Sequence, residues 1–391
     1  MARQGQYRIT SVAGEPVRAF VPPPLPPDPP VDARRFGRKL DRANQALGRL
    51  DGLATMLPDP HLFIYFYIRK EAVLSSQIEG TQSSLSDLLL FEIDEAPGVP
   101  TDDVVEVSSY VAAMDHGLKR LREGLPLSLR LIREIHAILL QHGRGADKAP
   151  GEFRRSQNWI GGSRPGNAIF VPPPHELVLD LMSQLELFLH DERHDLPILI
   201  KAGLAHVQFE TIHPFLDGNG RLGRLLITFL LCADGVLSEP LLYLSLYLKA
   251  RRSDYYRLLQ SVRAEGAWEE WIDFFLDGIT ETATQAAQTA TKALALFEQD
   301  RRRLQGLAKS AGTALRVHDH LRRHPLTTIR RAQADLGLSN PAVTSAIENL
   351  IELGMVREVT GRRRGRVFAY DRYLTLLSAG TEPYSVMGAQ D

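Results

Sequence analysis

Apolar residues along this chain return mostly at helical spacing. From Phe36 they recur at Leu40, Ala43, Leu47 and Leu50, the three-to-four rhythm of a helix with one buried face. A second helical segment starts near Pro60, where Phe63-Ile64-Tyr65-Phe66-Tyr67 run without a polar break; it is predicted to be a buried core helix. Two amphipathic helices are predicted over 104–123 and 127–141, and two more over about 175–190 and 196–212. Periodicity resumes at Leu225, Leu226, Phe229 and Leu230, and Ser253 offers an N-cap to a further helix. Trp268, Trp271, Phe274 and Phe275 read as core anchors of the next one, and residues 276 to about 310 as a long connecting helix. The fold class is therefore mainly α.

Three stretches break the rhythm. Residues 1–35 are dominated by the run from Val21 to Pro30, which holds seven prolines. Such a run forms neither helix nor ladder, so an extended polyproline arm lying along its own domain is expected. Between Gly151 and Pro174, two short β-prone runs, 157–160 and 168–171, flank a turn rich in Gly, Pro and Asn, the signature of a hairpin. The third break lies near the C-terminus. Helices are predicted over 314–323, 329–336 and from Pro341 to about Leu353, followed by two short strands framing Gly361-Arg362-Arg363-Arg364-Gly365. That order resembles a winged helix-turn-helix with a basic wing. The expected division is thus an arm (1–35), N-terminal helices (36–100), a central domain (101–300) and a winged-helix domain (311–375).

Composition narrows the picture in a few places. A formal net charge of −1 over 391 residues excludes a global field that recruits nucleic acid or anionic membrane. The single cysteine, Cys232, excludes an internal disulfide framework and sits in an apolar run as an inert thiol. No apolar stretch reaches membrane-spanning length and no signal-peptide core is evident in the first ten residues, so a cytoplasmic location without membrane contact is expected. His206, Glu210 and His213 lack zinc-ligand spacing; His206 is expected to make a core hydrogen bond instead.

The chemistry concentrates in His213-Pro214-Phe215-Leu216-Asp217-Gly218-Asn219-Gly220-Arg221-Leu222-Gly223-Arg224. A small-residue loop leading into a helix turns backbone N–H groups toward an anion, and the helix dipole adds to the attraction. Arg221 and Arg224 are three apart and share a face where both are helical. Asp217 is a hard oxygen ligand suited to Mg²⁺, and His213 titrates near neutrality, as a base on a hydroxyl should. Together they point to nucleotide-dependent group transfer.

These twelve residues match every fixed position of the Fic-domain signature H-P-F-x-[DE]-G-N-G-R-x-x-R, and the chain resembles that family over roughly 60–300. The resemblance implies a helical bundle with a β-hairpin flap and transfer of AMP from ATP to a Ser, Thr or Tyr hydroxyl of a target protein. It makes His213 the base, Asp217 the Mg²⁺ ligand, and Gly218 to Arg224 (with Leu222 and Gly223 between the arginines) the ATP-binding turn. Tyr256 corresponds to the tyrosine lying against adenine. Upstream, Ser75, Glu79 and Gly80 resemble the family's inhibitory motif [ST]-x-x-x-E-[GN], in which the glutamate pairs with the second signature arginine, here Arg224. The hairpin resembles the flap that docks the target, through Trp159, Ile160 and Gly161 on one run and Ile169, Phe170 and Val171 on the other. Glu106 and Tyr110 fall in a helix expected to serve packing alone. Alternatives left open are an ATP-sensing winged-helix transcription regulator, transfer of phosphocholine or phosphate, and removal of AMP. Two further partners are left open: DNA at the wing, and a second copy of the chain as a homodimer.

Overall fold

The computed structural model describes residues 3–12, 14–56, 60–93, 99–191, 196–307 and 310–383, with side chains 54–61 set aside. The chain opens with strands β1 (Gln6–Val12) and β2 (Glu15–Val21), an antiparallel hairpin that pairs Val12 with Glu15 and Gln6 with Val21. The expected arm is thus extended only from about Pro22. The alternation of Tyr7, Ile9 and Ser11, with Gly14 at φ 84°, is the turn-and-strand signal that the proline run overshadows. The arm does lie along its own domain: Gln208 Nε2 donates to Pro23 O at 2.8 Å, and Arg3 forms a two-bonded pair with Glu269.

Helices follow as α1 (Gly37–Met56), α2 (Pro60–Ile78), α3 (Leu85–Phe91), α4 (Thr101–Arg122), α5 (Leu129–Leu139), α6 (Val178–Leu189), α7 (Ile198–Ile212) and α8 (Asn219–Ala233). Next come α9 (Ser245–Ala250), α10 (Arg252–Glu265) and α11 (Trp268–Gln305). The fold is mainly helical, as the apolar spacing predicts. α7 and α8 form the centre: thirteen residues of α7 and twelve of α8 are buried. A helix apolar on all sides must be packed on all sides, and α2, α4, α5, α10 and α11 surround this pair. The anchors Trp268, Trp271 and Phe275 do not start a separate helix but open the 38-residue α11, along which α1 packs.

The C-terminal part holds α12 (Ala311–Arg323), β3 (Leu326–Thr328), α13 (Ile329–Leu336), α14 (Asn340–Glu352), β4 (Val356–Glu358), β5 (Val367–Tyr370) and α15 (Asp371–Ser378). Its strands form an antiparallel sheet in the order β3-β5-β4. The tail after α15 returns to α2, where the buried Lys70 donates to Ala379 O at 2.7 Å and Gln77 Nε2 to Thr381 O at 2.8 Å. Among the described residues, no helix is long and apolar enough to cross a membrane.

Candidate active site

The α7–α8 corner builds the site. α7 ends on His213, whose backbone is left-handed at φ 51°, a conformation uncommon outside glycine. Its N–H still donates to Phe209 O at 2.9 Å, so the ring projects from a fixed point. Arg154 grips the corner from the other side: its N–H donates to Pro214 O at 2.9 Å and its Nε to His213 O at 3.0 Å. The His213 imidazole is pushed down to about 3, first by burial and then by the nearby cations Arg263 and Arg154. It is therefore neutral at physiological pH, and its Nδ1 lacks a hydrogen-bond partner among the described residues. A neutral imidazole with a free ring nitrogen is equipped to accept a proton.

The loop to α8 is held from inside. The buried Asn219 side chain accepts from Phe215 N–H and donates to Phe215 O, both at 2.9 Å. Gly218 caps α8 in the left-handed region at φ 74°, and its N–H donates to Asp217 Oδ1 at 2.6 Å. Beyond this cap the first-turn N–H groups of α8 have no partner within the helix, so they form a natural anion cradle.

Arg221 is almost fully buried beside Glu106 at 3.0 Å, and its Nε has no hydrogen-bond partner among the described residues. Glu106 therefore does more than pack: its buried carboxylate holds Arg221 and also faces Arg144 at 3.2 Å. Arg224 points the other way, into α2. Its Nε donates to Ser75 Oγ at 2.8 Å, and its Nη2 donates to Ser75 O at 3.0 Å and Glu79 Oε1 at 2.7 Å. Burial opposes ionisation of Glu79, but Arg224, with a smaller contribution from Arg221, holds its carboxyl below the usual value. Gly220 makes the approach possible, since a Cβ there would stand 2.3 Å from Glu79 Oε1. Gly80 follows at φ 106°, a turn that suits glycine after the end of α2.

One participant is invisible in the motif. His136 of α5 accepts from Gly151 N–H through Nδ1 at 2.8 Å, so Nε2 carries the proton and donates to Asp217 O at 3.0 Å. Its ring stacks on Phe215 at 3.7 Å. Burial pushes the imidazole down to about 4, which keeps this arrangement neutral. A lone histidine on an amphipathic helix carries no spacing signal, so only the packing of α5 on the loop assigns it. His206 makes the core contacts expected of it, donating from Nδ1 to Gly223 O at 3.0 Å and accepting from the Tyr255 hydroxyl at 2.9 Å. Tyr255 is core; Tyr256 is the exposed one of the pair, with Arg252 over its ring.

The expected flap hairpin is reduced to one antiparallel bridge, Ile160 with Phe170. Gly161 and Gly162 at positive φ and a 3₁₀ turn at Pro165–Asn167 end the pairing at once. Phe170 and Val171 are buried rather than presented, and Val171 O already accepts from Phe20 N–H of β2 at 2.9 Å. The exposed large apolar side chains of the flap are Trp159 and Ile169, beside the Ile160–Gly161 edge. Glu15, in the N-terminal hairpin, secures the flap tip through Arg164 at 2.8 Å and Gly166 N–H at 3.1 Å.

Residues 126–231 match the family model described as Fic/DOC family, and residues 37–119 match Fic/DOC family N-terminal. The segment 126–231 thus matches a Fic domain. A protein adenylyltransferase Fic of Drosophila grimshawi is 34% identical over 186 residues, 47% of this chain and 35% of that protein. Its namesake from Drosophila virilis is 33% identical over 255 residues, 64% of this chain and 48% of that protein. The chain thus spans about half, or less, of the curated relatives it matches. In fold, a Fic family protein from Desulfovibrio desulfuricans superposes with a TM-score of 0.58 at 19% identity, over 87% of this chain and 97% of that one. A Fic domain containing signaling protein from Bacteroides thetaiotaomicron gives 0.51 at 20% identity, over 64% and 96%.

The Fic domain's residues fit a nucleotide triphosphate. Arg221 Nε and His213 Nδ1 have no hydrogen-bond partner among the described residues, no side chain caps the N-terminus of α8, and the cations Arg263 and Arg154 lie near His213. Asp217 offers one hard carboxylate, enough for an Mg²⁺ ion that is mostly ligated by phosphate and water.

Proposed function

We propose that this Fic domain transfers AMP from ATP to a hydroxyl side chain of a target protein, and that Glu79 holds it in a restrained state. The relatives named protein adenylyltransferase support the activity. The observation that carries the reading in this chain is the pairing of a neutral, unpartnered His213 with the open N-terminus of α8.

The acceptor hydroxyl lies at the edge of Trp159–Gly161, and its oxygen bonds to the α-phosphorus. The bond from that phosphorus to the bridging oxygen breaks, and pyrophosphate departs. His213 takes the hydroxyl proton, while the cradle N–H groups and Arg221 stabilise charge on the phosphates. Asp217 would hold Mg²⁺, which would further neutralise phosphate charge. Tyr256 offers the adenine a ring face. With Arg224 engaged by Ser75 and Glu79, the outer phosphates lack their second guanidinium. Once Arg224 is free, ATP is bound in the productive pose.

Incubating the protein with α-labelled or γ-labelled ATP and Mg²⁺ tests this. Protein label from the α position, abolished by His213→Ala, is the expected result. Label from the γ position would mean phosphate transfer, and absence of both from an ATP-binding protein would sink the transferase reading in favour of a sensor.

A second reading concerns the C-terminal part, which we propose is a winged helix-turn-helix domain able to meet DNA. It is supported by a cavity of about 1050 Å³ whose lining includes Arg330, Arg331, Arg363, Arg364 and Asn340. A salt-dependent DNA shift, weakened by Arg363→Ala, is expected; binding indifferent to salt would count against it.

A further inference from the structure

Far from the nucleotide site, the last turns of α12 and α13 bring two imidazoles and a carboxylate together. His320 and His324 are one turn apart, and Asp335 reaches them from α13. One ligand atom from each lies within 4.8 Å of the others. The three border a cavity of about 210 Å³ shared with Arg316, Asp319 and Arg323.

The His320–Asp335 geometry is the informative part. His320 Nε2 and Thr327 Oγ1 are 2.8 Å apart, and the buried Thr327 hydroxyl is directed at Thr328 O, 3.3 Å away. In the tautomer that donates from Nε2 to this hydroxyl, Nδ1 carries a lone pair. That lone pair faces Asp335 Oδ2 at 3.6 Å. The separation is too long for a hydrogen bond, and two lone pairs facing one another call for a cation between them. Tetrahedral Zn²⁺, with nitrogen at about 2.0–2.1 Å and oxygen at about 2.0–2.2 Å, sets its ligand atoms roughly 3.3–3.5 Å apart. The Thr327 contact is also the outer-shell bond that orients a metal-bound histidine.

We propose that His320, His324 and Asp335 form a site for a divalent ion of the zinc class, clamping α12 to α13 with its remaining position open to solvent. Nitrogen ligands favour zinc, cobalt or nickel over Mg²⁺. Arg331, 3.7 Å from Asp335, competes for the same carboxylate and is displaced when the ion binds.

The test uses the full chain, stripped with a chelator and titrated with Zn²⁺ or Co²⁺ alone. One ion per chain is expected, with the visible bands of four-coordinate Co²⁺. His324→Ala and Asp335→Asn, both outside the core, should each weaken binding at least tenfold and remove those bands. Asp217→Asn, at the separate Mg²⁺ position, should leave both unchanged. Absence of stoichiometric binding overturns the proposal. So does binding that survives both C-terminal variants in folded protein, or binding that is lost with Asp217→Asn.

Discussion

Replacing Glu79 with glycine is the sharpest perturbation of the restrained state. The side chain contributes one charge-assisted hydrogen bond, 2.7 Å from Arg224 Nη2, while Ser75 retains the other two contacts to that guanidinium. Such a bond contributes about 1.5–3 kcal/mol. Glu79 is 30% exposed, so solvent screening favours the lower half of that range. If the bond's whole worth sets the balance between engaged and free Arg224, the competent fraction rises about 10-fold to 45-fold. The assay is initial-rate transfer of α-labelled AMP at saturating ATP, with Tm measured alongside. Transfer should rise at least tenfold while Tm falls, because a buried arginine loses its counter-charge. An increase below twofold in a folded, ATP-binding variant would refute the view that this contact limits activity.

Four further outcomes follow from the same geometry. Ser75→Ala removes one neutral acceptor of Arg224 and leaves the Glu79 charge in place, so transfer should rise less than with Glu79→Gly and never exceed it. The Tm gap between wild type and Glu79→Gln should be full at pH well above 4.5 and close as pH falls through the depressed carboxyl value, because a paired carboxylate stabilises only while ionised; a gap that widens in acid would reverse the assignment. His136→Ala should lower kcat about 10-fold to 100-fold with the fold intact by circular dichroism, since Asp217 O and the Phe215 ring lose their support. Glu15→Ala should raise KM for a protein acceptor and leave KM for ATP unchanged, because Glu15 bonds only the flap tip.

The sequence by itself determined the make-up of the candidate catalytic corner. His213 to Arg224 are contiguous, so imidazole, carboxylate, helix N-terminus and guanidinium groups are brought together by local order, and Gly218 at φ 74° suits the turn, whereas Gly220 is required by clearance from Glu79, a tertiary neighbour. It also determined the helical class, because apolar spacing is a local property of each segment. What holds the corner was decided by tertiary structure. His136, Glu106, Arg154 and Arg263 are isolated polar residues on unrelated elements, and nothing in their own neighbourhoods distinguishes them from surface or core positions. The direction of Arg224 belongs to both levels: the motif supplies the arginine, but only the packing of α2 on α8 puts Ser75 and Glu79 against it. The flap shows the limit most plainly. Its β-prone runs were legible, yet positive-φ glycines cut the pairing to one bridge, and the edge at Val171 is occupied by a strand 151 residues earlier in the chain, Phe20 pairing across to it. Strand edges are claimed by whichever backbone reaches them, and that choice is made by the folded whole.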